Sequence, residues 1–203
     1  MYFSKKMKRL FLKKIIDGDY DVYAIKLRCG VFADNEEELA FLVDAMFAAW
    51  RRIVHARDRG FLRHYDGIVK RLFFEQSKSS GKYSPFFYLL CARRRKYYSE
   101  EEYKVRIEKE KIRIRTYIRW FAAWASALKT CTNVSVGFSL VELEGLEKAL
   151  DDFCCNEKYT LLALLDDAKM LLKTASGNGR HKLVTYHGMF KGLDFGHDNS
   201  IGR

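Results

Sequence analysis

Histidine and cysteine are the side chains of this chain best suited to metal or nucleophilic chemistry, but neither shows the spacing of such sites. The five cysteines include no Cys-x2-Cys pair, and no phosphate-binding glycine loop or Gly-x-Ser-x-Gly motif is present. No His-x-His or His-x3-His pair occurs among the five histidines, which are His55, His64, His181, His187 and His197. The sequence therefore predicts no metal and no cofactor. The cysteines are interpreted as reduced thiols packed as small apolar groups in a cytoplasmic protein.

Basic side chains give the strongest functional signal. The 203 residues include 37 Lys plus Arg and 26 Asp plus Glu, so the formal charge is +11. Basic clusters occur in the first 14 residues, around Arg51 and Arg52, at Arg93–Lys96 and along about 106–119. Contacts from Lys and Arg to phosphate are independent of base sequence, so this pattern predicts a nucleic acid partner, DNA rather than RNA.

The hydrophobic periodicity predicts an α+β domain in which helices flank an antiparallel sheet. Asn35 and Glu38 form a predicted capping box for the first helix, and Ser99 begins a long, strongly charged helix that ends near Lys129. The predicted helices are about 36–57, 100–129, 142–154 and 158–174, and the predicted strands are 22–29, 67–75, 86–92, 133–141 and 182–188. The second and third strands form a hairpin around the turn at 78–82.

These patterns divide the chain into a basic N-terminal segment at 1–20, the α+β domain at 21–193 and a flexible tail at 194–203. No window of 18 uncharged apolar residues exists, so we expect no membrane span. The two ends of the hairpin carry the basic residues that we expect to contact the nucleic acid backbone. They are Arg93, Arg94, Arg95, Lys96, Lys78 and Lys82, with Arg51, Arg52 and the Lys-rich N-terminus as second choices.

From about residue 20 to 193, the order of these segments resembles the replication-initiator (Rep) family of Gram-positive rolling-circle plasmids. The resemblance lies in VYAIKLRC, a helix ending in WRR, GIVKRLFFEQ, SPFFYLLCA, YYSEEEY, WFAAWASALK and the closing KLVTYHGMFKGL. It implies the α+β fold of the His-hydrophobic-His (HUH) endonucleases. In that family two histidines on one strand hold a metal, and a helical tyrosine attacks the phosphate of single-stranded DNA.

This chain departs from the family at the residues that carry the chemistry. Phe86, Phe87 and Tyr88 stand where the family has its His-hydrophobic-His triplet, and Phe73 stands where it has an acidic residue. Glu75 would share a face with Phe73. The nucleophile position falls on Asn156 in a gapless alignment and on Tyr159 after a three-residue insertion.

The sequence supports three functional hypotheses. The first is a catalytically inactive relative of the initiators that binds nucleic acid without cutting it. The second is a protein-binding inhibitor of a nucleic-acid-handling complex, such as a host defence nuclease, with the charged helix at about 100–119 as its contact surface. The third is an active nicking enzyme with a site rebuilt from Glu75 and Tyr159.

Overall fold

The computed structural model describes residues 2–55, 62, 65–94, 102–132, 141–144, 148, 150, 153 and 184–191. Its elements are α1 (Tyr2–Asp17), β1 (Tyr20–Arg28), α2 (Glu36–His55), β2 (Gly67–Gln76), β3 (Tyr83–Arg94), α3 (Glu102–Thr132), β4 (Val141–Glu144) and β5 (Val184–Gly188). Among these residues, no helix has both the length and the apolar character needed to cross a bilayer.

Within the described residues, five strands form one antiparallel sheet in the order β4-β1-β3-β2-β5. Strands β1 and β2 are connected through α2, and β3 lies between them, antiparallel to both. With α3 and β4 following β3, the chain has the β-α-β-β-α-β arrangement of ferredoxin-like domains. The predicted α+β class with an antiparallel sheet and a β2–β3 hairpin is therefore confirmed.

Both faces of the sheet are buried, which explains why β3 is apolar along most of its length. Alternation sends Phe87 and Leu89 to the face covered by α2 and α3, and it sends Phe86 and Tyr88 to the opposite face. On that opposite face α1 supplies the apolar cover, together with residues from the end of the chain. The buried side chains of this cover are Phe11, Ile15, Leu150, Phe153 and Phe190.

The start of α2 has one of the two hydrogen bonds of the predicted capping box, and the return bond from Glu38 goes to Asp34 instead of Asn35. The backbone N–H of Glu38 donates to Asn35 Oδ1 at 2.9 Å, and the carboxylate of Glu38 accepts from the N–H of Asp34 at 2.6 Å. The carboxylates of the first turn also favour the positive end of the helix dipole.

Two parts of the secondary structure differ from the sequence-based prediction. The first 20 residues, predicted only as a basic segment, contain helix α1, and Phe11 anchors it in the core. The predicted helix at 142–154 begins too early, because Val141–Glu144 pairs with β1 as strand β4. Cross-strand pairing here overrides the helix preference of Glu and Leu. The predicted helix at 158–174 and the tail at 194–203 lie outside the described residues.

Lys70 is a charged side chain in the middle of the core. It is 1% exposed, and its Nζ lies 4.1 Å from the ring centroids of both Phe47 and Phe87 and 5.6 Å from that of Trp50. The ring faces attract the ammonium and offset part of its desolvation. Burial nevertheless lowers the pKa of Lys70 from its ordinary 10.5 to about 7.

We predict that the buried Lys70 makes the fold more stable at mildly alkaline pH than at mildly acidic pH. Because the folded pKa lies below the unfolded one, the cost of the buried charge is fully present below pH 7 and is relieved as pH rises toward 10.5. Urea unfolding should show the free energy of unfolding increasing by about 2 kcal/mol from about pH 6 to about pH 8.5.

Substitution Lys70→Met should remove most of this increase and stabilise the protein at pH 6. The matched substitution Lys78→Met, in the exposed hairpin turn, should leave the pH profile unchanged. Equal profiles for the wild type and Lys70→Met would contradict the assignment.

Candidate nucleic-acid interface

The strand positions where the Rep resemblance implies a metal site are filled by packed aromatic rings. Phe86 and Tyr88 lie on one face of β3, and Phe73 is directly opposite Phe86 on β2. The Phe73 and Phe86 rings stack at 5.6 Å between centroids, and the Tyr88 ring lies 6.0 Å from Phe73. These three side chains are each about 1% exposed, so they form a closed apolar surface.

Further aromatic rings cover this surface from the opposite side. The Phe153 ring lies 5.9 Å from Tyr88 and 5.9 Å from Phe11 of α1, and Phe11 lies 5.4 Å from Phe190. All of these contacts are edge-on or tilted, the geometry that aromatic rings prefer in protein cores. The Phe153 side chain is thus held against the strand that carries Phe86 and Tyr88.

The residues present here do not fit a divalent cation. Glu75, the carboxylate suggested as a substitute, lies 3.2 Å from Arg28 Nε in an ion pair. Among the described residues, no three His, Cys, Asp or Glu side chains come together as a ligand group. Tyr159 and Asn156, the two alternatives for the nucleophile, lie outside the described part of the chain.

Three basic side chains lie against the aromatic rings, a placement that the sequence patterns did not predict. Lys26 Nζ is 5.1 Å from the Tyr88 centroid, Arg28 Cζ is 5.6 Å from Phe86, and Arg71 Cζ is 4.8 Å from Phe73. Arg71 also donates to the carbonyl oxygen of Phe153 at 2.8 Å. The sequence signal for this placement is the spacing of Lys26 and Arg28 in VYAIKLRC, because residues two apart share a face of a strand.

The structure separates the expected contact residues into two groups at opposite ends of the hairpin. Lys78 and Lys82 lie at the turn, whereas Arg93 and Arg94 end β3, about 36 Å away along the strand. Arg95 and Lys96 lie outside the described residues. No single compact patch can therefore contain both groups.

The turn end of the hairpin carries mostly negative charge. The ammonium of Lys82 forms an ion pair with Asp34, and the exposed Glu36 and Glu37 follow in the first turn of α2. Lys78 is exposed there. A phosphate backbone would meet carboxylates at this end, so Lys78 and Lys82 are poorly placed to hold it.

We call the opposite end the basic end, where Arg93 and Arg94 end β3 and Lys191 follows β5. Helix α2 begins beside the turn and runs toward this end, with Arg51 and Arg52 near its last turn. At 1.5 Å per residue these two side chains are attached about 24 Å from the start of the helix, level with the second half of β3. Trp50 stacks on Trp120, which donates at 3.0 Å to Tyr65, next to the start of β2. Four acidic residues also lie here among the described residues. Asp21 and Asp66 are opposite or bonded to the end of β3, and Asp17 and Asp19 directly precede Tyr20, which pairs with Arg94.

Helix α3 extends the basic surface. The Trp124 indole N–H donates to the Arg28 carbonyl at 2.8 Å, which fixes the second half of α3 to the sheet. The 31-residue helix spans about 46 Å, so the residues before Trp120 continue past the end of α2. Lys111, Arg115 and Arg119 are exposed on it, and the sequence from 111 to 132 contains no carboxylate.

The closing block of the resemblance, VTYHGMFK, has a clear structural role at the basic end. Gly188 has φ +59°, and a Cβ there would lie 1.9 Å from the Asp66 carbonyl oxygen, so only glycine fits. The chain then turns to bury Phe190 against Phe11 and to expose Lys191. Burial, Lys191 and Lys70 lower the pKa of the His187 imidazole from its ordinary value.

The chain matches no protein-family model, and comparison with curated proteins and with solved structures gives no match. The function of the chain must therefore be inferred from its fold and side-chain geometry.

We predict that Phe86→Ala lowers the free energy of unfolding by about 3–5 kcal/mol, because it opens a cavity in a buried aromatic cluster. Phe32→Ala, at a 38% exposed side chain, is the matched control and should cost far less. Urea unfolding monitored by circular dichroism measures both. Similar losses for the two variants would show that the ring cluster is not a packed core.

Proposed function

We propose that this chain is a non-catalytic nucleic-acid-binding protein, related to rolling-circle replication initiators, that holds the DNA backbone through its basic end. The observation that carries the proposal is that Arg93, Arg94 and Lys191 lie at one end of the sheet. Helix α2, with Arg51 and Arg52 near its last turn, and the exposed cations of α3 extend toward this end. Arg95 and Lys96 directly follow this group in sequence and would add to it.

Charge separation along the molecule supports an oriented complex. The acidic side chains at the start of α2 repel phosphate from the turn end, whereas the basic end attracts it. Each phosphate that contacts Lys or Arg releases bound counterions, so the affinity should fall steeply with salt.

The absence of catalysis is proposed on chemical grounds. Strand scission needs a positioned charge on the phosphate and an activated nucleophile. At the positions implied by the resemblance, the chain instead supplies packed rings, and Glu75 is held by Arg28.

We predict that Arg93→Gln with Arg94→Gln weakens DNA binding and lowers the slope of log affinity against log salt by about 1–2 units. Arg51→Gln with Arg52→Gln should act in the same direction. Lys78→Gln with Lys82→Gln removes the same charge at the other end and should leave affinity and slope nearly unchanged. Fluorescence titration with single-stranded, hairpin and duplex DNA over a salt series measures all three pairs.

The control pair makes this test specific to location. If the Lys78 and Lys82 pair weakens binding as much as the Arg93 and Arg94 pair, net charge alone determines affinity and the basic end is not the interface. If neither arginine pair changes affinity or slope, the nucleic-acid proposal is wrong.

We also predict no strand scission and no covalent adduct when labelled oligonucleotides are incubated with the protein and Mg²⁺ or Mn²⁺. Denaturing gel electrophoresis detects both products. An adduct formed by the wild type and lost in Tyr159→Phe would establish the third hypothesis, an active nicking enzyme, in place of this one.

A second candidate function, binding to a nucleic-acid-handling complex as its inhibitor, is favoured by one observation. Helix α3 exposes Ile114 and Ile118 between basic residues. Contact with isoleucine does not stabilise a bound phosphate backbone. Contact with an apolar protein surface is favourable, because both apolar surfaces are removed from water. Stable capture of a protein complex, with no affinity for free DNA at moderate salt, would select this function.

A further inference from the structure

Two exposed patches on the helical layer combine apolar side chains with charges of opposite sign. We call Glu36, Glu37, Phe41 and Asp44 on α2 the acidic patch. We call Lys111, Ile114, Arg115, Ile118 and Arg119 on α3 the basic patch. They contain three of the five large hydrophobic side chains that are exposed among the described residues, and a fourth, Phe32, lies shortly before α2.

The acidic patch follows the outward side of α2. Glu37, Phe41 and Asp44 recur at helical spacing, directly opposite the side that buries Leu39, Leu42 and Met46 in the core. Phe41 is 48% exposed. An aromatic side chain that is half in water, with carboxylates one turn before and after it, is typical of a contact surface.

The basic patch has the complementary composition. Ile114 and Ile118 are one helical turn apart and are 51% and 57% exposed. Arg115 and Arg119 lie beside them, and neither forms an ion pair within the described part of the chain. Apolar side chains and guanidinium groups therefore face solvent together.

The two patches cannot meet within one molecule. Trp50 of α2 stacks on Trp120 of α3, and the two helices run antiparallel. At 1.5 Å per residue, Phe41 lies about 13 Å along the helix axis from the Trp50–Trp120 contact. Ile114 lies about 9 Å from the same contact in the opposite direction. The patches are therefore about 20 Å apart along the helical layer.

We propose that the chain self-associates, with the acidic patch of one copy on the basic patch of another. The charges are opposite in sign, and each side brings apolar side chains that the contact would remove from water. Because both patches belong to the layer formed by α2 and α3, a two-fold dimer can form the same contact twice. Nucleic acid on the basic patch would instead leave the isoleucines exposed to water.

A charge-exchange experiment tests this proposal on the full chain after nuclease treatment, which removes nucleic acid that could bridge copies. Sedimentation velocity at low salt should show concentration-dependent dimers for the wild type, and fewer dimers at high salt. Arg115→Glu with Arg119→Glu, and separately Glu36→Lys with Glu37→Lys, should each raise the dimer dissociation constant at least about tenfold, because like charges then face each other.

An equimolar mixture of the two variants should form dimers again, since a copy of each kind presents opposite charges to the other. Lys13→Glu with Lys14→Glu, on α1 at the other face of the sheet, makes an equal charge change and should leave dimerisation intact. Circular dichroism verifies that each variant is folded.

A monomeric wild type over the whole concentration range would overturn the proposal. So would folded variants whose mixture stays monomeric, or single variants that dimerise as well as the wild type. Loss of DNA binding by the Arg115 and Arg119 variant, with dimerisation unchanged, would assign the basic patch to nucleic acid instead.

Discussion

The packing of β3 between two apolar layers is the constraint on which the rest of the structure depends. This strand is central in the sheet, and nine consecutive residues from Ser84 to Ala92 are buried. A strand in this position must place apolar side chains on both faces, so Phe86 and Tyr88 pack against the aromatic cover just as Phe87 and Leu89 pack against the two helices. Any metal-binding side chain on the face of Phe86 would have to displace this cover.

Because both faces of the sheet are covered, the exposed charged side chains lie at the ends of the molecule and on the outer side of its helices. Lys26, Arg28 and Arg71 lie against rings, and Lys70 is enclosed by them. These four cations contribute to the net charge of +11 without forming an open binding surface. The exposed cations among the described residues include those at the end of β3, in the last turn of α2, on α3 and on α1, where Arg9 and Lys13 are exposed.

The elements that depend on local patterns could be predicted from the sequence. Capping of the Glu38 N–H by Asn35 begins α2 as expected, and alternation places Phe86 and Tyr88 on one face of β3. Features set by long-range contacts could not be predicted. Strand β4 exists because it pairs with β1, and α1 is ordered by the burial of Phe11. The placement of the expected contact residues at the two ends of the hairpin was predicted, but the distance between them was underestimated, because Tyr83–Pro85 and Arg93–Arg94 extend β3 at both ends.

Nucleic acid binding and self-association of this chain would use some of the same charges. Arg115 and Arg119 belong to the basic patch and also lie next to the basic end. A polyanion that neutralises these side chains removes the attraction that draws the acidic patch of another copy toward them. By linkage, a nucleic acid that binds the monomer more tightly than the dimer shifts the equilibrium toward monomers, and self-association weakens nucleic acid binding by the same factor. Helix α3 would then act as a shared surface for which the acidic start of α2 and a phosphate backbone compete.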